Sequence, residues 1–350
     1  WLARDLPLER EAELGALRLN GLSLHREFKR SYPQGTLAGN LLGLVGADGS
    51  GQSGVEKAFN HRLTSSSSEK IVRRDARGRL VAPSIDEFSE EELEGTYIPT
   101  SLHEPAERRA QKLDENADID VEQALQLSID ANIQGILEEQ FLQAYDRTGA
   151  KRVHGLIMDA DSGEILGMAQ YPRLDPTKRG KIDSEALRIF TIQDGYEPGS
   201  TLKPIVAAIA LDAKVVQPDE MMDCGTGDFR VGKFTIKDVH PIGRVQFPQV
   251  LIRSSNVCMV KVGLRLGKER LHDGLERAGF GKRVLGKFDG EGSGIFRGLS
   301  NFAEIDVATH SFGHGISVTP LQLVRAFSAV MNGGYLVKPT LLKRKDGEAP

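Results

Sequence analysis

Long apolar runs are missing from this chain of 350 residues, in which no stretch approaches the ~18–20 residues that a membrane-crossing helix needs. An excess of charge is missing too. Lys and Arg number 45 against 49 Asp and Glu, the net charge is -4, and the basic residues are scattered among acidic ones. That removes the electrostatic footprint of a nucleic-acid binder. Cysteine is scarce: Cys224 and Cys258 stand without C-x-x-C or metal-ligand spacing, and spacing alone leaves open whether they approach each other. Three other signals fall short of their motifs. Gly46 to Ser53 has the glycine spacing of a phosphate loop, but Gln52 stands where the phosphate-neutralising lysine belongs. His310 and His314 are four apart, yet Gly313 and Gly315 flank the second and no carboxylate fills the H-E-x-x-H position. Asp159-Ala160-Asp161 opens like a calcium loop, but Gly163 falls one position early and Gln170 replaces the bidentate glutamate, so a hairpin turn explains it better. No cofactor, metal or nucleic-acid partner is expected.

What is present is Ser200-Thr201-Leu202-Lys203. Tyr196-Glu197-Pro198-Gly199 breaks the chain just before it, and Leu202, Ile205, Val206 and Ile209 follow at helical spacing, so Ser200 and Lys203 share one face at a helix start. A serine hydroxyl is a poor nucleophile at neutral pH until a neighbouring base takes its proton. An ordinary lysine, with a pKa of about 10.4, would need a depression of roughly three units, or ~4 kcal/mol, to serve. A helix terminus supplies only ~0.3–1 kcal/mol. The reading therefore requires a walled, desolvated pocket around Lys203, or relay through another polar group. About fifty residues downstream, Arg253-Ser254-Ser255-Asn256 precedes a second helical pattern at Val257, Val260 and Leu264. Alone, Ser-Ser-Asn is more often a cap or turn.

Together the two segments resemble the S-x-x-K and S-x-N elements of the penicillin-binding transpeptidases. Asp223 to Gly227, Lys237-Asp238-Val239-His240, Ser311 to Leu323 and Met331-Asn332-Gly333-Gly334 extend the resemblance to class B, division-specific penicillin-binding proteins of the FtsI type. The resemblance implies a peptidoglycan D,D-transpeptidase in which Ser200 attacks a stem peptide ending in D-Ala-D-Ala and Lys203 takes its proton. Ser254 would relay a proton to the leaving D-alanine, and Asn256 would orient the donor peptide. Gly199, Thr201 and Ser255 are the adjoining substrate-contact candidates, Thr201 and Pro198 reading also as structural. It further implies covalent inhibition by β-lactams, a lipid-linked glycan polymerase and other division proteins as partners, and an ectodomain facing the periplasm from the inner membrane. Water in place of the acceptor amine would give a carboxypeptidase or β-lactamase, and negligible turnover a penicillin-binding scaffold or sensor. The family's third element, Lys-Thr-Gly, occurs nowhere in the sequence, and Lys338-Pro339-Thr340 matches the stretch ahead of it. The chain is accordingly read as an internal portion of a longer protein, with the membrane anchor and the Lys-Thr-Gly strand lying outside it.

Length suggests two domains. Residues 1–112, loop-rich and polar, correspond to part of an elongated N-terminal pedestal, with Glu56 and Arg73 as plausible ion-pair partners there. Residues 113–350 correspond to the transpeptidase domain, of α/β (α+β) class, with an antiparallel sheet flanked by helices. Within it Leu125 to Ile129 alternates like a strand, and Asp130 is placed to cap a helix lined by Ile133, Ile136, Leu137 and Phe141. Val153 to Met158 and Glu164 to Met168 read as a hairpin. Thr319-Pro320-Leu321-Gln322 has a capping-box signature, and Gly333-Gly334 stops the helix it begins.

Overall fold

The computed structural model describes residues 3, 6–17, 19, 21, 24, 30–46, 48–63, 73–74, 80–81 and 124–347, less 179–181, 183, 287, 289 and 346. The chain divides into two compact units, Trp1–Asn60 with Leu127–Pro350, and His61–Gln126. In the smaller unit the described backbone includes a pair of short antiparallel strands, β1 (Arg73–Arg74) and β2 (Leu80–Val81). The expected seam near residue 112 and the polar stretch from 104 to 120 lie outside the described residues, as does the side chain of Arg73.

The larger unit is α+β with antiparallel pairing. Its first helix of consequence, α1 (Ala131–Thr148), begins where expected, because the Asp130 carboxylate accepts from the N–H groups of Asn132 and Ile133. It packs on a hairpin of β3 (Val153–Met158) and β4 (Ile165–Tyr171), whose turn is closed by Asp159 accepting from Asp161, Ser162 N–H and Ser162 Oγ. That turn is what the calcium-like Asp159-Ala160-Asp161 builds.

Two local expectations need correction. Ile136 is 61% exposed, and the fully buried position on α1 is Gln134. The reason is backbone satisfaction: the Gln134 amide donates to Met168 O and accepts from Met168 N–H, so a polar side chain serves as a partner for β4 where an apolar one would leave both groups unpaired. Leu125 to Ile129 forms no strand. Leu127 makes a lone bridge to Leu342, and Ser128 N–H donates to Leu341 O.

The N-terminal segment is sewn to this half of the chain. Asn40 donates to Ala186 O and accepts from Leu174 N–H, while Ala38 N–H donates to Glu138 on α1. Gly39 lets the backbones meet, because a Cβ there would lie 2.2 Å from Leu174 O. Glu56, expected beside Arg73, is paired with Arg30 at 2.7 Å. The glycine-rich run at 46–53 is a tight loop in which Asp48 accepts from both N–H and Oγ of Ser50.

The core lies between α2 (Lys203–Asp212), α3 (Asn256–Arg277, broken at Gly267) and α4 (Pro320–Met331), with Leu202, Val206, Met259, Val262 and Leu323 among its members. The capping box at Thr319 and Gln322 is formed in both directions, which fixes the start of α4. Above the core, β5 (Met221–Asp223) pairs with β8 (Arg244–Gln246), and between them projects the hairpin of β6 (Asp228–Val231) and β7 (Phe234–Lys237).

Candidate active site

Ser200 lies in a 3-10 turn, Gly199–Leu202, that runs directly into α2 with Lys203 as its first residue. Ser200 is exposed, whereas Lys203 is 1% exposed. The turn is held from behind. Gly199 N–H donates to Gly313 O at 2.9 Å, Tyr196 pairs with Val318, and Glu197 accepts from Gly315 N–H at 2.8 Å. Gly313 has φ +85°, and a Cβ on it would lie 1.9 Å from Gly199 O. The segment from Ser311 to Val318 is thus the floor on which Ser200 rests.

The second segment arrives from the end of the helix Phe247–Ile252. Ser254 turns the chain with φ +56°, in the left-handed region that non-glycine residues seldom occupy. This turn projects its hydroxyl back over α2. Lys203 Nζ donates to Ser254 O at 2.6 Å, Asn256 Oδ1 at 2.8 Å and Ser254 Oγ at 2.9 Å. Ser254 Oγ in turn donates to Ser200 Oγ at 3.0 Å. Ser200, Lys203, Ser254 and Asn256 therefore converge, and Ser254 is the link between nucleophile and amine.

Desolvation pushes Lys203 down to about 8, against the opposing pull of the Asp238 carboxylate. Asp238 carries no role in the sequence reading, although it stands in Lys237-Asp238-Val239-His240, directly after the last residue of β7. It accepts from Ser255 Oγ at 2.7 Å and Val257 N–H at 2.9 Å, and the neighbouring Lys237 O accepts from Asn256 Nδ2 at 3.0 Å. Asp238 thereby fixes the segment that carries Ser254 and Asn256.

The three adjoining residues fare differently. Gly199 supports the turn. Thr201 donates its hydroxyl to Pro198 O at 2.6 Å. Ser255 is not brought to the cleft, since it is 1% exposed and its hydroxyl caps α3 by accepting from Cys258 N–H while donating to Asp238. Its alternation with Ser254 and Asn256 explains why: the left-handed turn at Ser254 sends its neighbours to opposite sides. His310 and His314 also separate. His310 is buried against Phe302, its ring pushed down to about 4 by burial, and His314 is exposed beside Phe312. No group of three or more metal-ligating side chains converges among the described residues.

A serine chained through a second serine to a buried, pKa-lowered amine is equipped for acyl transfer. Comparison with known proteins agrees on the class. A family model for the penicillin binding protein transpeptidase domain matches residues 154–348, and one for the penicillin-binding protein dimerisation domain matches residues 2–98. The chain belongs to the penicillin-binding protein transpeptidase family. It is 32% identical over 337 residues to the probable peptidoglycan D,D-transpeptidase PenA of Neisseria gonorrhoeae, covering 96% of this chain and 53% of that protein. It is 31% identical over 350 residues to the peptidoglycan D,D-transpeptidase FtsI of Escherichia coli, covering 100% of this chain and 54% of that one. The chain thus spans about half the length of the curated relatives it matches. Among solved structures, penicillin-binding protein 3 of Mycobacterium tuberculosis superposes with a TM-score of 0.69 at 26% identity, over 90% of this chain and 61% of that one, and has been solved with aztreonam and with ampicillin.

Proposed function

We propose that this chain carries the nucleophile, base and relay of a serine-type peptidoglycan D,D-transpeptidase that cross-links stem peptides during septal cell-wall synthesis and is covalently inhibited by β-lactams. The carrying observation is the unbroken path Ser200 Oγ, Ser254 Oγ, Lys203 Nζ. A neutral amine has two N–H groups and one lone pair. Two neighbours of Lys203, Ser254 O and Asn256 Oδ1, are carbonyls that can only accept, so they take the two N–H groups. The third, Ser254 Oγ, is a hydroxyl and can reverse. With Lys203 neutral, Ser254 donates to Nζ and Ser200 donates to Ser254, which leaves the Ser200 lone pairs for the penultimate carbonyl of a peptide ending in D-Ala-D-Ala.

Attack then forms the Ser200–acyl bond. The Ser200 proton passes through Ser254 to Lys203 and back to the nitrogen of the departing D-alanine, and an amine of a second stem peptide resolves the ester. Ser200 N–H supplies one oxyanion donor. With the amine near 8, roughly one molecule in ten holds it neutral at pH 7. Asn256, fixed at both ends of its amide, orients the donor peptide. The protein works on the periplasmic face of the inner membrane beside a lipid-linked glycan polymerase and other division proteins, although no described helix is long and apolar enough to cross a membrane.

Intact-protein mass before and after penicillin tests the reading. A stable adduct is expected, and it disappears in Ser200→Ala; an adduct that survives in that variant, or none in the parent protein, refutes it. Lys203→Arg is expected to fail as completely as Lys203→Ala, because guanidinium stays protonated.

A further inference from the structure

Cys224 and Cys258, whose pairing spacing alone left open, form a disulfide with Cα atoms 5.0 Å apart and a sequence separation of 34. Both are fully buried in the core that α2 and α3 line. The ring of chain that this bond closes holds β6, β7, Lys237, Asp238, Ser254, Ser255 and Asn256. Its two ends have distinct jobs. Cys224 follows β5, and its N–H donates to Gly243 O at 2.8 Å, closing the base of the excursion that carries the β6–β7 hairpin. Cys258 occupies the first turn of α3, where its N–H donates to Ser255 Oγ at 3.0 Å.

Where the excursion returns past α3, three hydrogen bonds join it to the Ser254–Val257 segment: Ser255 Oγ and Val257 N–H to Asp238, and Asn256 Nδ2 to Lys237 O. Apolar contact alone fixes the hairpin less strictly. Val231, with Phe229 and Ile236 packed beside it, rests against Val260 and Phe312, and such contact tolerates sliding. Lys261 adds a bond to Asp223 O at 2.6 Å, just ahead of Cys224. A register shift of one ångström would separate Asp238 from Ser255 and Val257 and let the left-handed turn at Ser254 relax.

We propose that the Cys224–Cys258 disulfide is a positioning pair for the acyl-transfer site, holding Lys237 and Asp238 in register with the Ser254–Asn256 segment so that Ser254 bridges Ser200 and Lys203. The inference rests on the acyl-transfer reading above. It makes maturation of the site a thiol oxidation: two cysteine thiols give up two electrons and two protons to a disulfide-bearing oxidant, which leaves as two thiols while the Cys224–Cys258 bond forms. The dithiol form is folded and slow.

The test compares the oxidised full-length protein with the same protein reduced by dithiothreitol and verified by thiol count, and with Cys224→Ala/Cys258→Ala, using a fluorescent penicillin. Reduction is expected to slow covalent acylation by roughly ten- to hundred-fold, the cost of misplacing a catalytic group by about an ångström. Non-covalent penicillin binding should stay within about two-fold, and reoxidation should restore the rate. In an Asp238→Ala background the same reduction should change little, because both alterations break one arrangement. Unaltered acylation on reduction overturns the proposal. So does an equal loss in the Asp238→Ala background, or unfolding of both disulfide-free forms at the assay temperature, since the bond would then hold the fold and not the site. If the oxidised protein acylates no faster than Ser200→Ala, it is the acyl-transfer reading that fails. Amide exchange at 254–258 then decides the positioning claim: faster exchange on reduction supports it and unchanged exchange overturns it.

Discussion

At the scale of single residues, Lys203 carries opposite obligations. The burial that lowers its pKa from 10.5 to about 8 makes it usable as a base and also opposes folding whenever the amine is charged. The second-order rate of β-lactam acylation should rise with pH along an acid limb centred near about 8, and a flat profile between roughly pH 6 and 9 would remove Lys203 as the base. Stability follows with a defined sign. Between about 8 and 10.5 the native amine is neutral while the unfolded one is still protonated. The unfolded state binds more protons in that window, so stability rises with pH through it. Against Lys203→Met, which lacks the amine, the parent protein should gain roughly 3 kcal/mol across this range in urea unfolding. Ser200, Lys203, Ser254 and Asn256 were singled out in the sequence by the resemblance of their two segments to S-x-x-K and S-x-N elements, and the fold brings the four side chains together. Asp238 and the outward turn of Ser255 were not legible there, since both follow from a φ of +56° at Ser254 that no residue type there announces.

At the scale of elements, capping chemistry did most of the placing. Asp130 and Thr319 with Gln322 start their helices by satisfying otherwise orphaned N–H groups, a local requirement that can be read from adjacent residues. The elements that failed to appear as read depend on distant partners. Leu125 to Ile129 is held by single contacts to Ile165, Thr340, Leu341 and Leu342 and not by a ladder, and Gln134 is buried because Met168 needs it. The floor segment beneath Ser200 has the same dependence. Gly313→Ala would set a Cβ 1.9 Å from Gly199 O at a φ of +85°. It should cost at least ~1–3 kcal/mol in thermal or urea unfolding and slow acylation by displacing Ser200, with wild-type values in both assays arguing against the floor.

At the scale of the whole molecule, residues 1–60 share a compact unit with the residues that carry the site, and Asn40 is the clearest tie. Its amide bridges two positions 12 residues apart, Leu174 and Ala186. Asn40→Ala leaves a buried N–H and carbonyl without partners and should destabilise by ~1–3 kcal/mol, measured by urea unfolding, while the acylation rate of the folded fraction is unchanged. A matching loss of acylation in fully folded protein would instead make the N-terminal segment part of the site's support.

The sequence by itself determined the helix starts, which depend on residue identity at short, fixed spacing, and the family, which shows in motifs spread along the chain. Tertiary structure alone decided that Ser254 stands between Ser200 and Lys203, that Asp238 steadies it, that Cys224 meets Cys258 and that Glu56 meets Arg30. Those outcomes turn on distances between segments tens of residues apart, set by how the helices and hairpins pack, and no local pattern encodes a distance of that kind.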